Sequence, residues 1–314
     1  MTSQPPTPRD FVATHWPGQL TQFYLGQLFV RKSAPADAAE PAVMIHGLGG
    51  QATNWTDFMH AMSPRLESWA PDLPGFGRSP GSTSGDYSFD ALMSSTAAVV
   101  EMVVTARRQP VHLFGNSLGG ALCVRLAAEH PDWVRSLVLT SPALPDLRPR
   151  RHTVGVPVIA LPRVGERVWR RLGQLPSERH VQAMIDLNYG DPSRVSAVRR
   201  EEAAAEYRRR FALSHSGESL SKTARGLLQA FAERGPRALW AQAARLQMPS
   251  LVLYGGRDRL VNPKRAIRVA KTFPKCRVVV LPRVGHVAQM EVPELVAHFV
   301  NDFLNSLPAG QGDG

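Results

Sequence analysis

The chain has 314 residues, 43% hydrophobic and 20% charged, a balance that excludes a wholly disordered polymer and fits one large domain or one domain carrying an insertion. Its two cysteines, Cys123 and Cys276, exclude a disulfide framework and a cysteine metal cluster. The formal charge of +11 comes from 32 Arg and only 5 Lys, a bias that reads first as composition and solvated helix faces and second as a surface for an anionic partner or substrate; no nucleic-acid motif accompanies it.

In chain order, residues 1–10 hold three prolines and 308–314 are glycine-rich, and both ends are expected to be disordered. No positive stretch leads into an apolar segment at the start. No window reaches the 18 or so apolar residues of a spanning helix, so the default expectation is a cytoplasmic chain without a transmembrane segment. The segment "FYLGQLFVRK" fits an antiparallel edge hairpin. Five short apolar runs follow: "AVMIHG" (42–47), "VHLFGNS" (111–117), "VRSLVLTS" (134–141), "SLVLYGG" (250–256) and "CRVVVLP" (276–282). Apolar residues on both faces predict that each is a buried strand. Helical periodicity occupies 89–107, 118–130, 263–272 and 293–307. Strands alternating with helices predict a mostly parallel, doubly wound α/β sheet.

From 143 to 245 the alternation stops. This stretch holds 19 Lys and Arg against 10 Asp and Glu, in helical runs such as "RREEAAAEYRRRFAL". The expected architecture is a core of 11–142 and 246–307, with 143–245 inserted as a helical cap over the carboxyl ends of the strands, where open α/β sheets bind ligands.

Chemistry concentrates at those strand ends. Gly115-Asn116-Ser117-Leu118-Gly119 is a G-x-S-x-G between a predicted strand and a predicted helix. A turn sharp enough to lift Ser117 above the sheet leaves no room for side chains at 115 and 119, and Gly120 extends that allowance. The competing role for Ser117 is a helix N-cap. A serine nucleophile needs a base, itself oriented by a third group. His286, after the last strand and before the last helix, fits the base better than His112, His130, His180 or His298, which fall inside strand or helix patterns. Asp258 in "LYGGRDRLVNP" fits the orienting carboxylate, against a role as an Asx-turn residue; Asp146 is the alternative acid. Acyl transfer also needs N–H donors for the oxyanion. The loop "HGLGG", with Gly47 and Gly49, offers the backbone N–H of Leu48, and the elbow offers that of Leu118. His46 is expected to hold the loop rather than act as base, and Asp72 in "PDLPGFGRS" to be structural.

"HGLGG", "DLPGFGRS", "GNSLGG", "GGRDRLV" and "GHVAQMEVPE" occur in the order found in the α/β-hydrolase superfamily, and the chain resembles that superfamily from about Ala42 to Asp302. The resemblance implies Ser117, Asp258 and His286 as a triad and 143–245 as a lid. Within the superfamily the chain is similar to carboxylesterases and to the hydrolases that cleave carbon–carbon bonds of aromatic ring-cleavage products. It departs from the latter at Met290, where a tryptophan is expected, and no counterpart of that branch's cap arginine stands out. Serine at the elbow sets the chain apart from haloalkane dehalogenases and epoxide hydrolases, which attack with a carboxylate.

The expected activity is a serine hydrolase acting on a small or medium acyl ester, anionic or lipid-like, with no metal and no organic cofactor. A C–C hydrolase of a diketo acid and a catalytically weak ligand-binding protein are the alternatives. The basic cap allows weak contact with a membrane surface.

Overall fold

The computed structural model describes residues 12–34, 39–146 and 155–308. The predicted loose ends, 1–10 and 308–314, lie outside the described residues apart from Pro308. Eight strands form one sheet: β1 (Gly18–Phe23), β2 (Gly26–Lys32), β3 (Glu40–Ile45), β4 (Leu66–Pro71), β5 (Val111–Asn116), β6 (Val134–Thr140), β7 (Ser250–Gly255) and β8 (Cys276–Leu281). Their order is β1-β2-β4-β3-β5-β6-β7-β8. The β1–β2 hairpin and the β2–β4 pair are antiparallel, and every other pair is parallel. This is a mostly parallel α/β sheet, as the alternation predicts.

The helices are α1 (Thr56–Met62), α2 (Phe89–Arg107), α3 (Leu118–Glu129), α4 (Gly155–Ala160), α5 (Val164–Leu172), α6 (Ser177–Asn188), α7 (Ala197–Phe211), α8 (Ser216–Ala232), α9 (Leu239–Ala243), α10 (Arg265–Thr272), α11 (Ala288–Glu291) and α12 (Pro293–Asn305). Successive strand residues point to opposite faces. Ala42 and Met44 therefore join Phe114, Val138 and Leu253 under α1 and α12, while Val43 and Ile45 join Leu113, Leu139 and Val252 under α2 and α3. Helices on both faces explain why the central strands carry apolar residues on both faces.

Three elements differ from the sequence reading. Strand β4 is absent from it because "LESWAP" interrupts its apolar residues with Glu67 and Ser68; Glu67 is nevertheless buried, neutralised by Lys32 at 2.9 Å and by Arg107. Strand β8, read as buried, is the outermost strand, and Val280 is exposed there. Helix α2 is long and apolar enough to cross a membrane by length and composition. In this fold it packs on α3 and α8, with Leu92, Val99, Val100 and Val103 in the core.

Helices α4 to α8 follow β6, and residues from each of them line a cavity shared with Ser117. Helix α9, the last in the 143–245 stretch, packs against α3 and buries Leu239 and Ala243 in the core.

Candidate active site

Ser117 sits between β5 and α3 with φ 53° and ψ −117°, a conformation that L residues avoid and that the surrounding structure must impose. Its N–H donates to the Thr140 carbonyl at 3.2 Å, and its own carbonyl accepts from Ala121 and Ala143. The side chain occupies the N-cap position of α3 but makes no capping hydrogen bond. It lines the cavity instead. The flanking glycines are required by close approach: a Cβ on Gly119 would lie 2.2 Å from the Ile45 carbonyl oxygen, and one on Gly115 2.6 Å from that of Gly119.

His286 and Asp258 meet. Nδ1 of His286 lies 2.9 Å from Oδ2 of Asp258, and both residues are buried. Burial alone would raise the Asp258 carboxyl. The charge and hydrogen bond of His286, the Val261 N–H and the Ser141 hydroxyl outweigh it and hold the carboxyl below its usual range. An ionised carboxylate only accepts, so Nδ1 is the donor of this bond, which fixes the tautomer in which the neutral ring carries its lone pair on Nε2. The other oxygen, Oδ1, accepts from the N–H groups of Leu260 and Val261 at 2.8 and 2.9 Å. Asp258 thus makes the Asx turn and orients the histidine at once. Asp146 is engaged elsewhere, paired with Arg265.

Asn116 was missed by sequence reasoning. Its Nδ2 donates to the carbonyls of Thr140 at 3.0 Å and His286 at 3.2 Å, joining the serine turn to the histidine loop. No local signal separates it from any other residue of the G-x-S-x-G motif.

The loop after β3 lies directly against the elbow, since a Cβ on Gly47 would stand 3.1 Å from Cβ of Ser117. Among the described residues neither the Leu48 nor the Leu118 N–H is used in a hydrogen bond; Leu118 opens α3, where the first N–H groups have no partner within the helix. His46 is fully buried and bonded at both nitrogens. Nδ1 donates to the Gly47 carbonyl at 2.8 Å and Nε2 accepts from the Leu73 N–H at 3.0 Å. Burial pulls its pKa down to about 4, so it stands neutral between two loops. Asp72 ties the same loops together, accepting from the N–H groups of Ala52 at 2.6 Å and Arg78 at 2.8 Å; burial raises it to about 6.

Two more residues, both invisible to sequence reasoning, connect α6 and α7 to these loops. The side chain of Glu291 is wholly buried and accepts four hydrogen bonds, from the N–H groups of Gly285 (2.7 Å), Gly190 (2.9 Å) and Asp191 (3.0 Å) and from Arg194 (2.9 Å). The His286 N–H donates to the Asn188 carbonyl at 2.6 Å. The backbones touch so closely that a Cβ on Gly285 would lie 2.3 Å from the Asn188 oxygen. On α7, the buried Arg210 donates to the Gly49 carbonyl at 2.8 Å and lies over the rings of Trp169 and Tyr207. Among the described residues it has no carboxylate within ion-pair distance.

Ser117, His286, Leu48 and Arg210 all line one cavity of about 1320 Å³. The arrangement provides a hydroxyl, an oriented imidazole and two N–H groups without a partner among the described residues, beside a partly open, largely apolar space.

A sequence model described as the alpha/beta hydrolase fold matches residues 41–293. The chain is 26% identical over 276 residues to "Lipase 1" of Psychrobacter immobilis, covering 87% of this chain and 79% of that protein. It is 28% identical over 280 residues to a 2-hydroxy-6-oxo-2,4-heptadienoate hydrolase of Pseudomonas putida, covering 85% and 90%. The solved structure of a 2-hydroxy-6-oxo-6-phenylhexa-2,4-dienoate hydrolase from Rhodococcus superposes with a TM-score of 0.72 at 20% identity, covering 92% of this chain and 99% of that one. By the family match and by the topology of its sheet, this chain belongs to the α/β-hydrolase fold family.

Proposed function

We propose that the protein is a serine hydrolase that cleaves a carboxylic ester through an acyl-enzyme at Ser117. The observation that carries this reading is the 2.9 Å contact between His286 and Asp258 beside a strained serine turn. Nε2 of His286 takes the proton of Ser117 as Oγ attacks the ester carbonyl. The negative charge on the tetrahedral oxygen is received by the N–H groups of Leu48 and Leu118. His286 then returns the proton to the leaving alkoxide, and Asp258 stabilises the imidazolium throughout. A water molecule, deprotonated by the same nitrogen, releases the acid. The lipase and hydrolase names among the relatives support hydrolysis as the reaction class. Treatment with a fluorophosphonate probe should label native protein rapidly and leave Ser117→Ala unlabelled. A folded native protein that stays unlabelled and does not turn over p-nitrophenyl esters would instead be a ligand-binding member of the fold.

Arg210 favours a second reading. A buried guanidinium without a carboxylate partner among the described residues suits a substrate that brings its own anion, as a vinylogous diketo acid does. The same serine and histidine would then cleave a carbon–carbon bond after ketonisation. Loss of the yellow dienolate absorbance on adding enzyme supports this reading, and a stable absorbance removes it.

A further inference from the structure

Many arginines of this chain answer to a carboxylate: Arg125, Arg194, Arg199, Arg209, Arg237 and Arg277 all sit in ion pairs. Between 163 and 179 that pattern stops. The guanidinium groups of Arg163, Arg167, Arg170, Arg171 and Arg179 make neither an ion pair nor a hydrogen bond with another described residue, and all five residues are exposed. The same 17 positions hold two acidic residues, Glu166 and Glu178, and Glu178 pairs with Arg208.

The same stretch exposes aliphatic side chains. Val158, Leu161, Val164 and Leu175 are between 37% and 51% exposed. Helix α5 shows how the two features combine. Gly165, Val168, Trp169 and Leu172 face the cavity, while Val164, Arg167, Arg170 and Arg171 lie on the exposed side. The apolar side of α5 is thus already used inside the protein. Its outer side, with the α4–α5 turn, offers cations interleaved with aliphatics, the pattern of a surface seated at the headgroup level of a bilayer. A soluble polyanion would be served by the arginines alone.

We propose that the outer face of α4, α5 and the start of α6, with Arg163, Arg167, Arg170, Arg171, Arg179 and the flanking aliphatics, docks the protein on an anionic lipid surface. The arginine stems lie along the headgroups, and Val158, Leu161 and Val164 enter the acyl boundary. The proposal is independent of the esterase reading, because vesicle binding is measured without turnover.

The test is sedimentation of the full chain with vesicles of phosphatidylcholine, alone or with about 30 mol% phosphatidylglycerol. Each arginine near an anionic surface is worth about fivefold in partitioning, so the anionic vesicles should be preferred by 100-fold or more, and salt should weaken the binding. The triple substitution R167Q/R170Q/R171Q should cost on the order of 100-fold on anionic vesicles. V158S/L161S should also weaken vesicle binding while leaving heparin binding unchanged. None of these side chains lines the cavity, so turnover of p-nitrophenyl acetate and the melting temperature should stay at native values. Equal partitioning of the native chain onto neutral and anionic vesicles would overturn the proposal without any variant. So would a triple variant that binds as the native chain does, or a V158S/L161S variant with undiminished vesicle binding, which would make the patch a polyanion or acidic-protein site.

Discussion

In the strand-end loops of the core, polar groups are satisfied by neighbours in the same layer: His46 by Gly47 and Leu73, Asp72 by Ala52 and Arg78, Asp258 by Leu260, Val261 and His286. The helices α4 to α8 above them pack on the core through Trp169, Leu220, Leu227 and Ala230, and their polar links to it are scattered side-chain reaches: Arg210 to the Gly49 carbonyl, Arg199 to Asp57, Ser219 to the Gly75 carbonyl, and Glu291 to Gly190, Asp191 and Arg194. A dense local network fixes geometry to the fraction of an ångström that proton transfer needs. A layer whose polar links are few and scattered leaves its cavity-facing positions freer to vary, which suits substrate selection. The contrast predicts that damage to the loops strikes turnover, whereas damage to the upper layer strikes selectivity and attachment.

The largest expected effects lie in the loops. His286→Ala should lower kcat on p-nitrophenyl esters by roughly 10⁶-fold and Asp258→Asn by about 10⁴-fold, while Asp146→Asn, whose carboxyl is engaged with Arg265, should leave it within a few-fold. Equal losses at 258 and 146 would break the assignment.

Next comes the junction. Glu291→Ala leaves three backbone N–H groups unpartnered in a buried place and Arg194 with Asp191 alone at 3.5 Å, so urea unfolding should show a loss of about 3 kcal/mol. An unchanged midpoint would mean that the attachment is made elsewhere.

Third, His46 and Asp72 carry opposite pH dependences. The His46 pKa is lowered to about 4, so between its ordinary 6.5 and 4 the unfolded chain binds a proton that the native chain refuses. Stability from this group is full above pH 6.5 and is lost as pH falls, by about 3 kcal/mol in total. Asp72, raised from 3.8 to about 6, has the reverse sign: the native chain binds the extra proton, so its contribution improves as pH falls through that window. The penalty of His46→Gln, measured by denaturation at pH 7 and again at pH 4, should therefore shrink by about 3 kcal/mol. A penalty independent of pH would show that His46 is not held neutral.

The smallest effect sharpens the upper layer's share. Arg210→Leu should raise KM for an ester whose acyl chain ends in a carboxylate by about 10- to 100-fold, the loss of one hydrogen bond to a charged group. KM for the neutral acetate should barely change.

Much of the core was legible along the chain because its signals are local. A strand covered on both faces announces itself as an unbroken apolar run, and a nucleophile turn announces itself by glycines that no side chain can replace. Strand β4 escaped because Glu67 is tolerated there only through Lys32 and Arg107, residues far from it in sequence. Strand β8 misled for the converse reason, since the same valines serve a central or an outer strand and only the sheet order decides. The bond from Asn116 to the His286 loop and the grip of Glu291 on Gly190 and Arg194 span 170, 101 and 97 positions.

The sequence by itself determined the layered α/β core and the residue types at its strand ends, because burial and backbone sterics act within a few neighbouring positions. Only the tertiary structure decided that Asp258 rather than Asp146 meets His286, that His46 is locked neutral, and that, among the described residues, Arg210 stands without a carboxylate and five arginines of the upper layer face outward unpaired. Each of these depends on the distance between groups remote in the chain, and electrostatic and hydrogen-bond energies are set by that distance.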